Sequence, residues 1–509
     1  MKAQDNLILT IFGASGDLTR RKLIPAIYDL YQQGLMPERF AIVGTSRTAY
    51  SDDDFRDRVL EGVKEFSLRD TSDSKLLKQF REQLYYQPLD TKSPQAYANL
   101  QQRLTQIDED QQIGGNGIFY LSTPPSLYET IARGLSMQDL HQSEVGWRRL
   151  IVEKPFGYDL DSAKDLNAKL LQFFSEDQIY RIDHYLGKET VQNLLVTRFS
   201  NGIFEPLWNR NYIHHVEVTA AESIGIGDRG GYYDTSGALR DMVQNHLLQV
   251  LAMTAMEPPI EIKAEAIRNE TFKVFQALRP MTQEAINHDV IRGQYIESTV
   301  RGQQMDGYRQ AKGVAEDSRT ETFVALKCFI DNWRWGGVPF YIRTGKRLPT
   351  RVTEVVIHFK ETPLRLFSSK LAPSQQNNQL VIRIQPNEGL LLKFGMKVPG
   401  MGFQVETVNM DFHYSELSDA YLPSAYERLL LDAIKGDATL FARGDVVEAG
   451  WAFVDPILKA WKNDPEIPLY GYPAGTWGPE ESDGLIEGED LTWRYPCRNL
   501  SDDGSYCEL

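Results

Sequence analysis

The stretch "RIDHYLGKE", Arg181 to Glu189, sets a carboxylate acceptor (Asp183), a switchable imidazole (His184), a phenol (Tyr185) and a fixed cation (Lys188) almost side by side. That set suits a phosphate monoester together with a proton-transfer partner, and no apolar periodicity explains the segment as core. A second group is "GASGDL", where Gly13 and Gly16 would let the backbone approach a pyrophosphate at the start of a helix, with free N–H groups and the positive dipole end. Its spacing is GxxG and not GxGxxG, and glycines at a strand-helix turn also occur for steric reasons alone. The third group ends "RFAIVGTSRT": where an NAD-binding unit would place a carboxylate on the ribose, this chain has Ser46 and Arg47. A guanidinium there can clamp a 2′-phosphate bidentately, so the sequence favours NADP, the alternative being an exposed surface arginine. Lys154, just past an apolar run and ahead of Pro155, is either a solvated loop charge or a group pointing into a ligand crevice.

These groups need elements to hold them. "NLILTIFGASGDLTRRKLIPAIYDLY" reads as strand, tight turn and helix, and "SDDDFRDRVLEGVKEF" as a helix capped by Ser51 with Phe55, Val59, Val63 and Phe66 on one face. "GIFYLSTPPSLYETIARGL" and "RRLIVEKPFGYDLDSAKDLNAKLLQFF" repeat the strand-break-helix order, and "QIY" is a short last strand. Strands alternating with helices predict a Rossmann-like, doubly wound parallel sheet whose ligands sit at the carboxyl ends of the strands. Beyond residue 210 the alternation stops. "HHVEVTAAE", "TEVVIHFK" and "NQLVIRIQP" read as strands, with "SGALRDMVQNHLLQVLAMTAM" as one long buried helix between them. The expected fold is α/β followed by α+β, with a dinucleotide-binding domain over 1–181 and a larger, mainly antiparallel domain over 182–509.

Composition narrows the function. The chain has 509 residues and a net charge of -15, which argues against a broad nucleic-acid or anionic-membrane surface. No run of about eighteen apolar residues and no signal-peptide core is present, so a cytoplasmic protein is expected. Three cysteines without a CxxC or HExxH pattern suggest neither a disulfide framework nor a zinc site.

"GASGDL", "EKPFG" and "RIDHYLGKE", followed in order by "RGGYYD", "RDMVQNHLLQ", "VPFYIRTGKRL", "IRIQPNEG", "YERLLLDAIKGD" and "WGP", resemble the glucose-6-phosphate dehydrogenases from about Leu7 to Pro479. The resemblance implies oxidation of glucose 6-phosphate to 6-phosphogluconolactone with NADP, the first step of the oxidative pentose phosphate pathway, by a homodimer or homotetramer. It implies His246 as general base, although on its own residues His246 also reads as a core histidine, and Asp183 as its partner. Lys154, His184, Tyr185, Lys188, Glu222, Asp241, Lys346 and Arg351 match substrate-binding positions. Gly13, Ser15, Gly16, Asp17, Lys22, Arg47 and, again, Lys154 match cofactor positions. Thr19-Arg20-Arg21 departs from the commonest family pattern at peripheral contacts. His214 and His215 match nothing catalytic and are expected to be structural, facing opposite ways on a strand.

Two other classes stay open on the sequence: a different nicotinamide-dependent sugar dehydrogenase, and a catalytically silent cofactor-binding regulator. The acidic tail ends "WRYPCRNLSDDGSYCEL", where Cys497 and Cys507 are either incidental thiols or a thiol-disulfide switch or docking tail for a regulatory or redox partner.

Overall fold

The computed structural model describes residues 5–364, 366–367, 377–416, 423–488 and 491–496; Cys497 and Cys507 lie outside them. The chain divides into two compact units, Met1–Lys188 with Pro259–Asn269 and Leu422–Glu448, and Glu189–Pro258 with Glu270–Tyr421 and Ala449–Leu509. The single boundary expected at 181/182 thus becomes a discontinuous division. Its cause within the first unit is packing: a two-residue strand, Phe441–Ala442, returns to pair with the sheet edge, and the helix Ala425–Lys435 packs on the helix Ile24–Gln32. Without that strand the edge would leave its N–H and C=O groups unpaired.

The first unit holds β1 (Leu7–Phe12), β2 (Phe40–Ser46), β3 (Leu84–Pro88), β4 (Gly117–Leu121), β5 (Arg148–Val152) and β6 (Ile179–Ile182). Their order is β6-β5-β4-β1-β2-β3, all parallel, with Phe441–Ala442 antiparallel outside β6. β1 and β4 are buried along their whole length, as strands covered on both faces must be. The predicted helix after β2 runs Asp52–Phe66, with a Ser51–Asp54 capping box and Phe55, Val59 and Val63 buried. Chain crossovers diverge between β1 and β4, which opens a crevice at their carboxyl ends.

The second unit is built on nine strands. In sheet order they are Val405–His413, Gly389–Lys397, Gln379–Gln385, Val352–Phe359, β7 (Ile213–Ala221), Pro339–Gly345, Phe323–Phe329, Val290–Ile296 and Tyr470–Pro473. All neighbours are antiparallel except β7 with Pro339–Gly345 and Val290–Ile296 with Tyr470–Pro473.

The one long helix expected over residues 236–256 is not regular. A helix over Gly230–Ala238 breaks at Gly237, a π-helical segment spans Leu239–Leu247 and an α-helix follows over Leu248–Ala255. Gly237 sits at φ 71, ψ 171, and a Cβ there would come within 2.3 Å of Glu321 Oε1, which accepts the Leu239 N–H. Only glycine takes that backbone conformation without strain. Gly237→Ala is therefore expected to lower unfolding free energy by about 2–4 kcal/mol, from strain plus the clash. Equilibrium urea denaturation measures it, and a loss under about 0.5 kcal/mol would mean the break does not depend on glycine.

Candidate active site

In the first unit, the crevice predicted at the strand ends is a cleft of about 480 Å³ lined by Gly13, Ser15, Gly16, Ser46, Arg47 and the Ser122–Pro124 turn after β4. Gly13 has φ 86, and a Cβ on it would stand 2.1 Å from the Ser122 carbonyl oxygen. Gly16 donates its N–H back to Gly13 O at 2.9 Å, closing the turn from which the first helix starts. Arg47 is exposed at the rim, and no side-chain partner engages it among the described residues. A narrow backbone turn at a helix start fits the pyrophosphate of a dinucleotide. Asp17 and Lys22 do not line this cleft: Asp17 pairs with Arg21 at 3.6 Å on the surface, and Lys22 is exposed on the outside of the helix.

Lys154 follows β5 and is half-buried. Its neighbour Glu153 is clamped in a way the sequence did not disclose. Tyr120 and Tyr426 donate their phenols to Glu153 Oε1 at 2.5 and 3.2 Å, and Tyr128 donates to its carbonyl at 2.8 Å. Burial raises the Glu153 pKa against these donors and the Lys154 charge. Three tyrosines from three elements thus fix the backbone that presents Lys154.

"RIDHYLGKE" leaves β6 through two tight turns, with Leu186 N–H on Asp183 O and Lys188 N–H on Tyr185 O. The turns gather the side chains. Tyr185 N–H donates to Asp183 Oδ1 at 2.9 Å, the His184 and Tyr185 rings meet edge to face at 5.0 Å, and Lys188 Nζ stands 4.0 Å from the centre of the Tyr185 ring. Asp183 is buried, and burial pushes its carboxyl up to about 6 although His184, the Tyr185 N–H, Lys154 and Lys188 all pull it down. Four of the predicted residues, with Lys154, therefore share one electrostatic neighbourhood.

In the second unit, Glu222 and Lys346 follow the paired strands β7 and Pro339–Gly345 and form an ion pair. Lys346 Nζ also lies 5.4 Å from the centre of the Tyr233 ring. Arg351 stands one position before Val352, which pairs with Ala221, so the register puts it beside Glu222; its side chain is exposed. Asp241 and fully buried His246 lie on the π-helical segment, which packs on β7 and Pro339–Gly345. Hydrogen bonds from i to i+5 widen the turn, so residues five apart come closer to one side than in an α-helix of 3.6 residues per turn. The irregularity that sequence periodicity missed thus bears on how Asp241 and His246 are aimed.

His214 and His215 do not simply face opposite ways. His358 pairs with His215 and Phe359 with Ile213, a bulge that lets the two Nδ1 atoms meet at 2.8 Å. His215, Glu217 and His358 then cluster, with Glu217 Oε1 at 2.7 Å from His358 Nε2 and 3.7 Å from His215 Nε2. The two imidazoles stack at 3.9 Å and 18°. Both Nε2 atoms face the buried Glu217 carboxylate, and burial lowers the His215 pKa to about 4.

A nucleotide crevice of this topology, joined in one chain to an α+β unit bearing buried acid-base residues, defines a nicotinamide-dependent oxidoreductase. Residues 10–193 match the family model "Glucose-6-phosphate dehydrogenase, NAD binding domain" and residues 195–494 match "Glucose-6-phosphate dehydrogenase, C-terminal domain". The chain belongs to the glucose-6-phosphate dehydrogenase family. It is 54% identical to the glucose-6-phosphate 1-dehydrogenase of Aggregatibacter actinomycetemcomitans, over 97% of this chain and 98% of that one. With the enzyme of Bacillus subtilis (strain 168) it shares 44%, over 96% and 98%. A solved glucose-6-phosphate dehydrogenase in complex with its substrate glucose 6-phosphate is similar with a TM-score of 0.86 and 37% identity, over 94% of this chain and 97% of that one.

The raised Asp183 carboxyl makes a prediction about stability. Its folded value of about 6 exceeds the ordinary 3.8, so between these values the folded protein keeps a proton that the unfolded chain releases. Stability from this group is present below about pH 4, falls as pH rises to about 6 and stays lower by on the order of 3 kcal/mol above it. Asp183→Asn should accordingly match the parent near pH 4 and unfold at higher denaturant at pH 8. A difference that does not change with pH would show that the carboxyl titrates normally.

Proposed function

We propose that this protein oxidises glucose 6-phosphate to 6-phosphogluconolactone with NADP, the entry step of the oxidative pentose phosphate pathway. The observation that carries the reading is the clustering of Lys154, Asp183, His184, Tyr185 and Lys188 just after β5 and β6, in a chain whose residues 10–193 and 195–494 match this family. The bound dinucleotide supplies a hydride acceptor at the nicotinamide C4. His246 takes the proton of the C1 hydroxyl while C1 gives up its hydrogen with the bonding pair, leaving the C1 carbonyl of the lactone. An imidazole suits this because its ordinary pKa lies near working pH. Asp183 serves His246 as the carboxylate that sets its tautomer and stabilises the imidazolium. His184, Tyr185 and Lys188 hold the phosphate, Lys154 reaches both ligands, and Glu222, Asp241, Lys346 and Arg351 grip the sugar phosphate. Gly13, Ser15, Gly16 and Arg47 carry the dinucleotide, with Asp17 and Lys22 as outer contributors.

Self-association as a homodimer or homotetramer is part of this reading. The strand Val405–His413 is an edge of the larger sheet, and Met396, Val408 and Met410 are exposed along it and its neighbour, with Phe403 exposed in the turn between them. A cytoplasmic site of action agrees with the finding that no helix among the described residues is long and apolar enough to cross a membrane. A regulatory or redox role for Cys497 and Cys507 belongs to the same reading.

The direct test is NADPH absorbance with glucose 6-phosphate. His246→Asn should lower turnover by a factor on the order of 10² to 10⁴ with a much smaller change in substrate binding; near-parental kcat would remove it as the base. Lys188→Ala should raise KM for glucose 6-phosphate roughly ten- to a hundred-fold, the scale of one charge-assisted contact. An unchanged value would place the phosphate elsewhere.

Cofactor choice is tested separately. Arg47→Ala should raise KM for NADP far more than for NAD, because only NADP carries the 2′-phosphate. Equal losses with both would show that Arg47 shapes the turn instead.

A further inference from the structure

We infer that Tyr233 is a further substrate-binding residue, its phenol O–H held for a hydroxyl of the hexose ring beside Glu222, Asp241 and Lys346. The inference rests on the sugar-phosphate reading above and adds a group that reading does not use.

The first observation is an unspent donor. Tyr233 is only 4% exposed, and its hydroxyl has no hydrogen-bond partner among the described residues. A buried O–H left unpaired is costly and uncommon. Its aromatic neighbours show what a satisfied phenol looks like in the same cluster. Tyr308 donates to Asp234 Oδ1 at 2.9 Å, Tyr472 donates to the Lys346 carbonyl at 2.7 Å, and Tyr341 accepts the Glu487 N–H at 3.3 Å. Tyr233 differs from them in position. Its ring packs on Tyr308 edge to face at 6.2 Å, a contact that a phenylalanine would make equally well, so packing does not call for the oxygen.

The second observation is what lies near the ring. Lys346, paired with Glu222, stands over the Tyr233 ring, and Asp241 lies on the π-helical segment that follows. Burial first, then the carboxylates of Asp241, Glu321 and Glu222, raise the phenol well above its ordinary pKa. The proton therefore stays on oxygen, and Tyr233 can donate but not act as a base. Carboxylates accept and a phenol of this kind donates, while a sugar hydroxyl does both. Such a hydroxyl accepts from Tyr233 and donates to a carboxylate, which gives the Tyr233 O–H the partner it lacks. A site built this way discriminates strongly against an analogue that lacks the hydroxyl.

Tyr233→Phe, in the full-length enzyme, separates this role from a structural one by sign. Removing an unsatisfied buried hydroxyl should leave the melting temperature of the ligand-free protein unchanged or higher, while kcat/KM for glucose 6-phosphate falls about three- to ten-fold. KM for NADP should not move. Across the 2-, 3- and 4-deoxy glucose 6-phosphates, the variant and parent should differ for all but one, and the analogue on which they agree identifies the hydroxyl served. A lower melting temperature, an unchanged kcat/KM for glucose 6-phosphate, or equal losses on every analogue would each overturn the assignment. A parental enzyme inactive on glucose 6-phosphate with NADP would instead overturn the underlying reading, so the two failures are distinct.

Discussion

The approach of Gly13 to the Ser122 carbonyl, too close for any Cβ, is the constraint on which the first unit turns. β1 and β4 stay in register through Phe12 and Leu121, and Ser122 N–H still reaches Phe12 O at 2.9 Å. One residue later the backbone must reverse from strand to helix while β4 runs alongside, and only a residue without a side chain at positive φ can do both. From that turn follow the start of the first helix, the crevice between β1 and β4, and the position of Arg47 across it at the end of β2. The nucleotide cleft is thus a consequence of how tightly two buried strands part.

Buried polar groups are held in two manners. On one face of the larger sheet charged groups pair with one another: Arg494 Nε meets Glu354 Oε1 at 2.9 Å, Arg494 N–H meets Glu217 Oε2 at 3.0 Å, and Arg343 donates to the Arg494 carbonyl at 2.8 Å while lying over Trp493. Burial alone would raise Glu217, yet the two imidazoles beside it hold its pKa well below the usual carboxylate range. Breaking one member of such a set would strand its partners, which is why it behaves as scaffold. The groups assigned to chemistry are poised differently. Asp183 has its pKa displaced upward, and Tyr233 keeps a donor in hand.

Legibility in the sequence followed the same division. Alternating apolar runs and capping residues such as Ser51 disclosed the parallel sheet and its helices because local periodicity and burial coincide there. "RIDHYLGKE" stood out because its polar content had no packing explanation. What periodicity could not show were contacts made by distant chain: Phe441–Ala442 closing the sheet edge, and Tyr426 reaching Glu153 across 273 positions. Nor could an apolar pattern distinguish a π-helical segment from an α-helix over Leu239–Leu247, since both bury one face and differ only in hydrogen-bond register. Tyr233 sat in plain view in "RGGYYD", but a tyrosine with a satisfied hydroxyl and one without read alike until the fold places their neighbours.

A chain of net charge -15 that is to hold phosphorylated ligands must also make its attraction locally. At separations beyond a Debye length of about 8 Å the overall negative charge is screened, so the deciding field is the one within the site. Lys154, His184 and Lys188 bear on the buried carboxyl of Asp183, whose pKa burial raises to about 6. Ionised, Asp183 offsets part of their positive charge; protonated, it does not. An incoming phosphate therefore meets the stronger positive field when the carboxyl carries its proton. The base function proposed for its partner histidine requires the carboxylate. Under the proposed function Asp183 bears on both phosphate binding and proton transfer, and its burial sets the pKa on which that balance turns.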